Sequence, residues 1–386
     1  MEVVLSSIGK FHTFDLAREL LERNALSQIF TGYPEFKLKN ENIKKSFIST
    51  YPYLHAPYMK FPFWDFFGNK VKQEVEYWDK VLFDRHVAKN IPECDLFSGL
   101  SGSGFITAKL VKARGSIYVC DRGSSHIRAQ DNILKEEHER WGLAYQAIDI
   151  RIIEREEAEY ALADAITVPS SFVYRSFVAC GLPPDKLKLI PYGVNLQKFE
   201  KVANPISGQF NVLFVGGGSL RKGLADLLVA YSMLVHPRKS LTLVGEFSPV
   251  FVKWLRGLNL LTDDIKILGH LPQTELKHLM SQSHVMVLAS VEEGLAMVQA
   301  QAMACGCPVI ASKNTGAEDL FSDGREGFIV PIRDPTLITE KMQYLADHPD
   351  IQEEMGARSL AKVREIGGWT LYGSKTYSMM KNLCSQ

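Results

Sequence analysis

The sequence predicts an α/β protein of two doubly wound domains that face each other across a cleft. Three observations carry that expectation: a length of 386 residues, a series of short apolar runs, and segments of helical period between them. A chain this long exceeds one ordinary core and suits two domains of about 150–200 residues each. Runs too short for a free-standing helix, yet apolar almost throughout, have the character of strands buried on both faces. Strands alternating with helices imply a parallel sheet with right-handed crossovers.

The second half shows this most clearly. NVLFVG (211–216), LTLVG (241–245), IKILG (265–269), HVMVLAS (284–290), PVIAS (308–312) and GFIVP (327–331) read as six strands. Between the first two, Leu224, Leu227, Leu228 and Tyr231 fall at i, i+3, i+4 and i+7, the stripe of one helix. In the first half EVVLS (2–6), DLFS (95–98), SIYVC (116–120), AITVPS (165–170) and KLIPYG (188–193) read as strands, with helices beginning near Phe14, Gly104 and Ser171. The stretch 195–208 has little periodicity and contains Pro205 and Gly208, so the linker is placed there. The expected domains are 1–200 and 201–370, with 371–386 a helix returning to the first. Domains of this kind bind ligands where loops meet at the carboxyl ends of the strands.

Composition narrows the function. Lys plus Arg and Asp plus Glu are each 44, so no net field argues for a nucleic-acid partner. The start MEVVLSSIGKFHTF lacks a basic leader and a long apolar run, and no stretch of about 20 apolar residues occurs. The six cysteines are scattered; Cys305 and Cys307 form a CxC flanked by apolar residues, without the spacing of a zinc site. Reduced thiols in a cytoplasm are expected.

Two segments carry the chemistry. VGGGSLRKG (215–223) leaves a strand, turns on Gly216, Gly217 and Gly218, and enters a helix whose first N–H groups suit an anion. It is not a dinucleotide GxGxxG, because Arg221 stands where the third glycine belongs, and not a Walker loop, because Leu224 and Ala225 follow Gly223. What remains is a glycine turn delivering Arg221, a bidentate fork for phosphate, and Lys222, a mobile point charge. Solvated charges in a helix's first turn are the plainer alternative, although cations sit there against the dipole. The second segment, ASVEEGLAMVQAQAMACGCPVIAS (289–312), ends a strand at Ser290, makes an acidic turn and opens a helix at Gly294 that stops at Gly306. Glu293 beside that helix start combines a charged acceptor with N–H donors, which a phosphorylated polyol needs; a helix-capping glutamate is the alternative.

Here the chain resembles family 4 glycosyltransferases. These carry two glutamates in an EG-rich, AMA-G-PV-containing segment of the second domain and a basic pair at a KG turn. Glu293 matches the first glutamate, Gln301 stands in place of the second, and Arg221–Lys222–Gly223 matches the basic turn, with Gly217 where an earlier arginine is common. ALADAITVPSSF (161–172), KLIPYGVNLQKF (188–199), TGAEDL (315–320) and DGREGFIV (323–330) also match, so that the resemblance covers about 151–347.

The resemblance implies the GT-B fold and transfer of a sugar, most simply a hexose, from a nucleotide-diphosphate donor with retention at the anomeric carbon. Arg221 and Lys222 would stabilise the leaving diphosphate, and its departing oxygen would take the acceptor's proton. Glu293 would bind sugar hydroxyls, Gln301 the ribose diol, and Gly217, Gly218, Gly294, Leu295, Ala296 and Met297 would line the donor. Backbone around Gly269 and Leu271 would meet the base. His126, after SIYVC, would stand near the donor sugar beside Arg122 and Arg128, and Gly9, Lys10 and His12 would face the acceptor. The chain has no Asp-x-Asp, and adjacent Asp263–Asp264 reads as a loop, so neither metal nor cofactor is expected. The acceptor is expected to be a glycan, a lipid-linked group or a small molecule. The aromatic-rich YPYLHAPYMKFPFWDFFGNK (51–70), with Lys60 and Lys70, suits either surface packing or contact with a membrane face. Two rivals remain: a catalytically silent binding relative, and a sugar-nucleotide epimerase on the same architecture.

Overall fold

The apolar runs become two parallel sheets because each must bury both faces, and helices on either side are what can cover them. A computed structural model describes residues 1–60, 67–196 and 198–385. The first domain runs β1 (Val3–Ser7), α1 (Thr13–Glu22), β2 (Leu26–Thr31), β3 (Ile48–Thr50), α2 (His55–Lys60), α3 (Asn69–Asn90), β4 (Leu96–Leu100), α4 (Phe105–Ala113), β5 (Ile117–Asp121), α5 (Ile127–Arg140), α6 (Ile150–Leu162), β6 (Ala165–Val168), α7 (Ser171–Ala179) and β7 (Leu187–Leu189). The second runs β8 (Phe210–Val215), α8 (Leu224–Met233), β9 (Lys239–Val244), α9 (Pro249–Gly257), β10 (Ile265–Leu268), α10 (Gln273–Gln282), β11 (Val285–Leu288), α11 (Met297–Ala304), β12 (Val309–Ser312), β13 (Gly327–Val330), α12 (Pro335–Asp347) and α13 (Pro349–Ile366). A last helix, α14 (Trp369–Cys384), lies against α1, with Tyr372 and Met380 buried in the core that holds Val3 and Leu5.

The sheets share one topology. Strand order is β3-β2-β1-β4-β5-β6-β7 in the first and β10-β9-β8-β11-β12-β13 in the second, with parallel pairing throughout. Each therefore reverses direction next to its first strand, between β1 and β4 and between β8 and β11. Ligands of doubly wound sheets bind outside such switch points.

Three local differences from the sequence reading have physical causes. Strands β2 and β3 went unread because LSQIFT and IST carry too many polar residues to signal burial. The run 265–269 is not buried on both faces: β10 is the edge strand, and Ile267 and Leu268 stay more than a third exposed. The helix expected from Gly294 starts at Met297, because Ala296 is extended and its N–H bonds to Thr315 O at 3.1 Å.

Candidate active site

The second domain's wall of the cleft is built from the loops after β8 and β11. Gly216 N–H donates to Val244 O (2.9 Å) and Gly218 N–H to Glu246 O (2.8 Å), so the glycine turn is fastened to the strand beside it. Gly223 closes the turn at φ +63°, and a Cβ there would lie 2.0 Å from Ala289 O, so only glycine fits. The turn thereby brings Arg221 and Lys222 against the acidic loop. Arg221 Nη2 pairs with Glu292 Oε2 at 2.8 Å, its Nε donates to Glu292 O at 3.1 Å, and Lys222 Nζ lies 2.5 Å from Glu293 Oε1. The cations keep 36% and 25% of their side-chain surface open, against 0% and 11% for the carboxylates. Open cations held from behind by buried carboxylates can meet an anionic ligand without searching for a conformation.

The acidic loop is rigid for identifiable reasons. Glu293 N–H donates to Asn314 O (3.0 Å), Asn314 Nδ2 to Val291 O (2.8 Å) and Gln299 Nε2 to Thr315 O (2.9 Å). Gly294 touches the first domain: its carbonyl accepts from Ser170 Oγ at 2.5 Å, and a Cβ on it would stand 1.8 Å from Gly123 O. Glu292 reaches further across, accepting from Ser125 N–H (2.9 Å), Ser125 Oγ (2.8 Å) and Gln130 Nε2 (3.2 Å). Ser171 N–H and Oγ likewise bond Asp319 at 2.7 and 2.6 Å. The two walls are thus pinned together at the site.

A cavity of about 580 Å³ lies between them, lined by His12, Ser101, Arg122, Tyr192, Leu295 and Met297 among others. Behind His12, Asp121 at the end of β5 accepts from Thr167 Oγ1 at 2.8 Å and contacts His12 Nε2 at 2.6 Å. Arg122 is spent on Glu156 (2.6 Å), Ser101, Ser125 and Gln130, all internal to the first domain. The Tyr192 hydroxyl is buried with no hydrogen-bond partner among the described residues, and burial holds its pKa well above the ordinary value.

The expected residues divide accordingly. Leu295 and Met297 line the cavity, Lys222 is ion-paired with Glu293, Arg221 with Glu292, and Gly294 touches the first domain, whereas Gly217, Gly218 and Ala296 do not line it. Gln301 is half-buried on α11, with no side-chain hydrogen bond to a described residue, and Gly269 and Leu271 follow the edge strand β10. The structure corrects His126. Its ring packs in the first core, 5.2 Å from Tyr160 and 5.1 Å from Phe177, and its Nδ1 caps α5 by accepting from Arg128 N–H. Burial pushes its pKa down to about 4, so it is neutral near pH 7. The histidine on the cleft is His12, while Lys10 is ion-paired with Glu41.

Asp264 sits at the amino end of β10, bonded by Tyr231 Oη at 2.7 Å and remote from the cleft. No cluster of three His, Cys, Asp or Glu suited to a metal occurs among the described residues, and all six cysteines are unpaired. Of the 51–70 segment, residues 61–66 lie outside the described residues. Glu292 and Asp121 were missed, though both left a signal: an EE pair to oppose the RK pair, and an aspartate closing the apolar SIYVC run.

The family model described as "Glycosyl transferases group 1" matches residues 197–361. A D-inositol 3-phosphate glycosyltransferase of Streptomyces scabiei is 27% identical over 205 residues, 48% of this chain and 46% of that protein. A trehalose synthase of Pyrococcus horikoshii is 32% identical over 157 residues, 37% of each chain. The chain thus spans about half or less of the length of these curated relatives. Among solved structures, HepE of Anabaena in complex with UDP and glucose superposes with a TM-score of 0.72 at 16% identity, covering 99% of this chain and 100% of that one. The chain therefore has the two-domain GT-B fold, and its second domain carries the match to glycosyl transferases group 1.

Proposed function

We propose that this chain moves a sugar from a nucleotide-diphosphate donor to a hydroxyl of a glycan, lipid-linked or small-molecule acceptor. The observation that carries the reading is the open Arg221–Lys222 pair beside a glycine turn, backed by Glu292 and Glu293 of the loop whose Leu295 and Met297 line an interdomain cavity. Arg221, Lys222 and the first turn of α11 stabilise the charge that develops on the leaving diphosphate. Glu293 accepts from sugar hydroxyls, Gln301 from the ribose, and backbone at Gly269–Leu271 meets the base. The two walls exclude the water that would otherwise hydrolyse the donor. Hexose transfer with retention, independence of metal and absence of a cofactor belong to the same reading.

HepE was solved with UDP and glucose, which makes UDP-glucose the first donor to try. UDP-, GDP-, ADP- and CMP-sugars are screened by thermal shift with and without EDTA, and nucleotide release is then followed. Saturation at a hundred times Kd stabilises by about 2.7 kcal/mol, a shift of a few degrees. One base should stand out and EDTA should change nothing; silence with every donor would leave the binding relative as the better account. An altered nucleotide sugar in place of free nucleotide would favour an epimerase, and the anomer of the product, read by NMR, tests retention.

Action at the cytoplasmic face of a membrane is part of the proposal. It is supported by Tyr53, Met59 and Phe67, 77%, 62% and 64% exposed, with Lys60 and Lys70 close in sequence. No described helix is long and apolar enough to cross a membrane. Co-sedimentation with anionic but not zwitterionic vesicles is the expected result.

A further inference from the structure

We propose that Glu292 is a positioning residue that aims Arg221 from both domains at once, so that this cation is set for the leaving phosphate only while the first domain is seated on the second. The inference rests on the transferase reading and deepens it by making one of the two cations a property of the interdomain contact. Glu292 follows β11 in the second domain, whereas Ser125 and Gln130 stand just before α5 and on it in the first, 167 and 162 residues away. The Glu292 side chain has no exposed surface, and both of its carboxylate oxygens are in use. Oε1 accepts from Ser125 N–H at 2.9 Å and from Ser125 Oγ at 2.8 Å. Oε2 accepts from Gln130 Nε2 at 3.2 Å and pairs with Arg221 Nη2 at 2.8 Å. Arg221 Nη2 also donates to Ser124 Oγ at 3.4 Å, and its Nε donates to the Glu292 carbonyl at 3.1 Å.

A carboxylate with no exposed surface is tolerated only where donors and a cation replace the water it has lost. Among the described residues, three of the four groups that do so for the Glu292 side chain belong to the first domain. Without them Oε1 would turn to water, and the guanidinium would lose its fixed acceptor and Ser124 together. The fork of Arg221 meets phosphate in a defined plane, so its aim matters as much as its charge.

Lys222 supplies the internal contrast. Its partner Glu293 is fastened within the second domain, N–H to Asn314 O at 3.0 Å, so this cation is set without the first domain. Adhesion between the domains does not hang on Glu292 either. Ser171 bonds Asp319 at 2.7 and 2.6 Å, Arg140 pairs with Asp226 at 2.9 Å, and Arg333 with Glu137 at 2.7 Å. The Trp141 and Trp254 rings meet edge-on at 5.6 Å. None of these pairs includes a cation of the glycine turn. Glu292 differs from them in sharing an oxygen between the first domain and Arg221.

The test is a double-mutant cycle across the domains, run on the full chain with Ser125→Ala and Glu292→Gln. Nucleotide release from UDP-glucose, ADP-glucose and GDP-mannose is followed with water, glucose and glycerol as acceptors, and the donor that wild type turns over fastest serves the cycle. Ser125→Ala should melt near wild type, keep the donor KM within about twofold and lower kcat by about fivefold, since Ser125 N–H still holds the same oxygen. Glu292→Gln removes the charge that Arg221 faces and should lower kcat by about thirtyfold. In an Arg221→Ala background Ser125→Ala should change kcat by less than about twofold, because no guanidinium is left to aim. In a Lys222→Arg background the loss of about fivefold should persist. A merely structural role would give the same factor in all three backgrounds. That equal loss, or a kcat that both variants leave within about twofold of wild type, overturns the proposal and leaves the transferase reading standing. A wild type that releases no nucleotide with any of these acceptors overturns the transferase reading and this proposal with it.

Discussion

Each domain has a glycine turn between a strand and a helix at its switch point, and the two turns have opposite fates. In the first domain, Gly99–Gly104 joins β4 to α4, and the carboxyl group of Glu159 fills it from α6. Its oxygens lie 2.7 Å from Gly102 N and 3.0 Å from Gly104 N. In the second domain, Gly216–Gly223 joins β8 to α8, and the side chains it presents are cations, Arg221 and Lys222. Burial pushes the Glu159 pKa up to about 8 against the pull of Arg155, which makes it an internal plug for its turn. A glycine turn before a helix is therefore not a ligand site in itself. It becomes one when the protein leaves its donors and cations for something else.

The largest expected effect falls on the second turn. Lys222→Ala should lower turnover by about a hundredfold, about 2.7 kcal/mol, as the loss of one positioned charge on a leaving group does. Nucleotide release under saturating donor checks it. Unchanged turnover would make the second turn as structural as the first.

Next comes the first turn, through pH. Between the ordinary carboxylate range near 4.5 and about 8, folded Glu159 keeps a proton that the unfolded chain releases. Its contribution to stability is full below that window, falls as pH rises through it, and is gone above it. Glu159→Gln removes the titration and retains an acceptor for the turn. Urea unfolding of both proteins at pH 5, 6, 7 and 8 should show the wild type losing stability progressively across the range and the variant losing less. Parallel curves would mean that Glu159 is ionised in the fold and that both turns hold an anion.

The smallest effect sharpens the contrast at the donor end. Gln301→Glu replaces a neutral acceptor by a charged one and should tighten the donor by about fivefold to tenfold, on the order of 1 kcal/mol. Titration calorimetry with the donor found by the thermal screen checks it, and weaker binding would remove position 301 from the ribose.

Most of what could be read early was local. The six strands of the second sheet, the helix stripe at Leu224–Tyr231 and the turn carrying Arg221 and Lys222 all announce themselves within about ten residues. His126 misled because a histidine after a strand shows nothing of where its ring turns: one residue before α5, the side chain caps the helix and faces inward. Glu292 and Glu293 stand side by side, and adjacency alone does not say that one buttresses Arg221 while the other backs Lys222.

By itself the sequence determined two doubly wound sheets, the position of the glycine turn and the basic pair, because apolar periodicity and glycine placement act over a few residues. Tertiary structure decided which polar groups were left for a ligand. Glu159 is spent on Gly102 and Gly104, Arg122 on Glu156, and Glu292 on Ser125 and Arg221, whereas Arg221 and Lys222 keep part of their side-chain surface open. A buried polar group must find its partner wherever packing brings one, often a hundred residues away, and no local pattern records that.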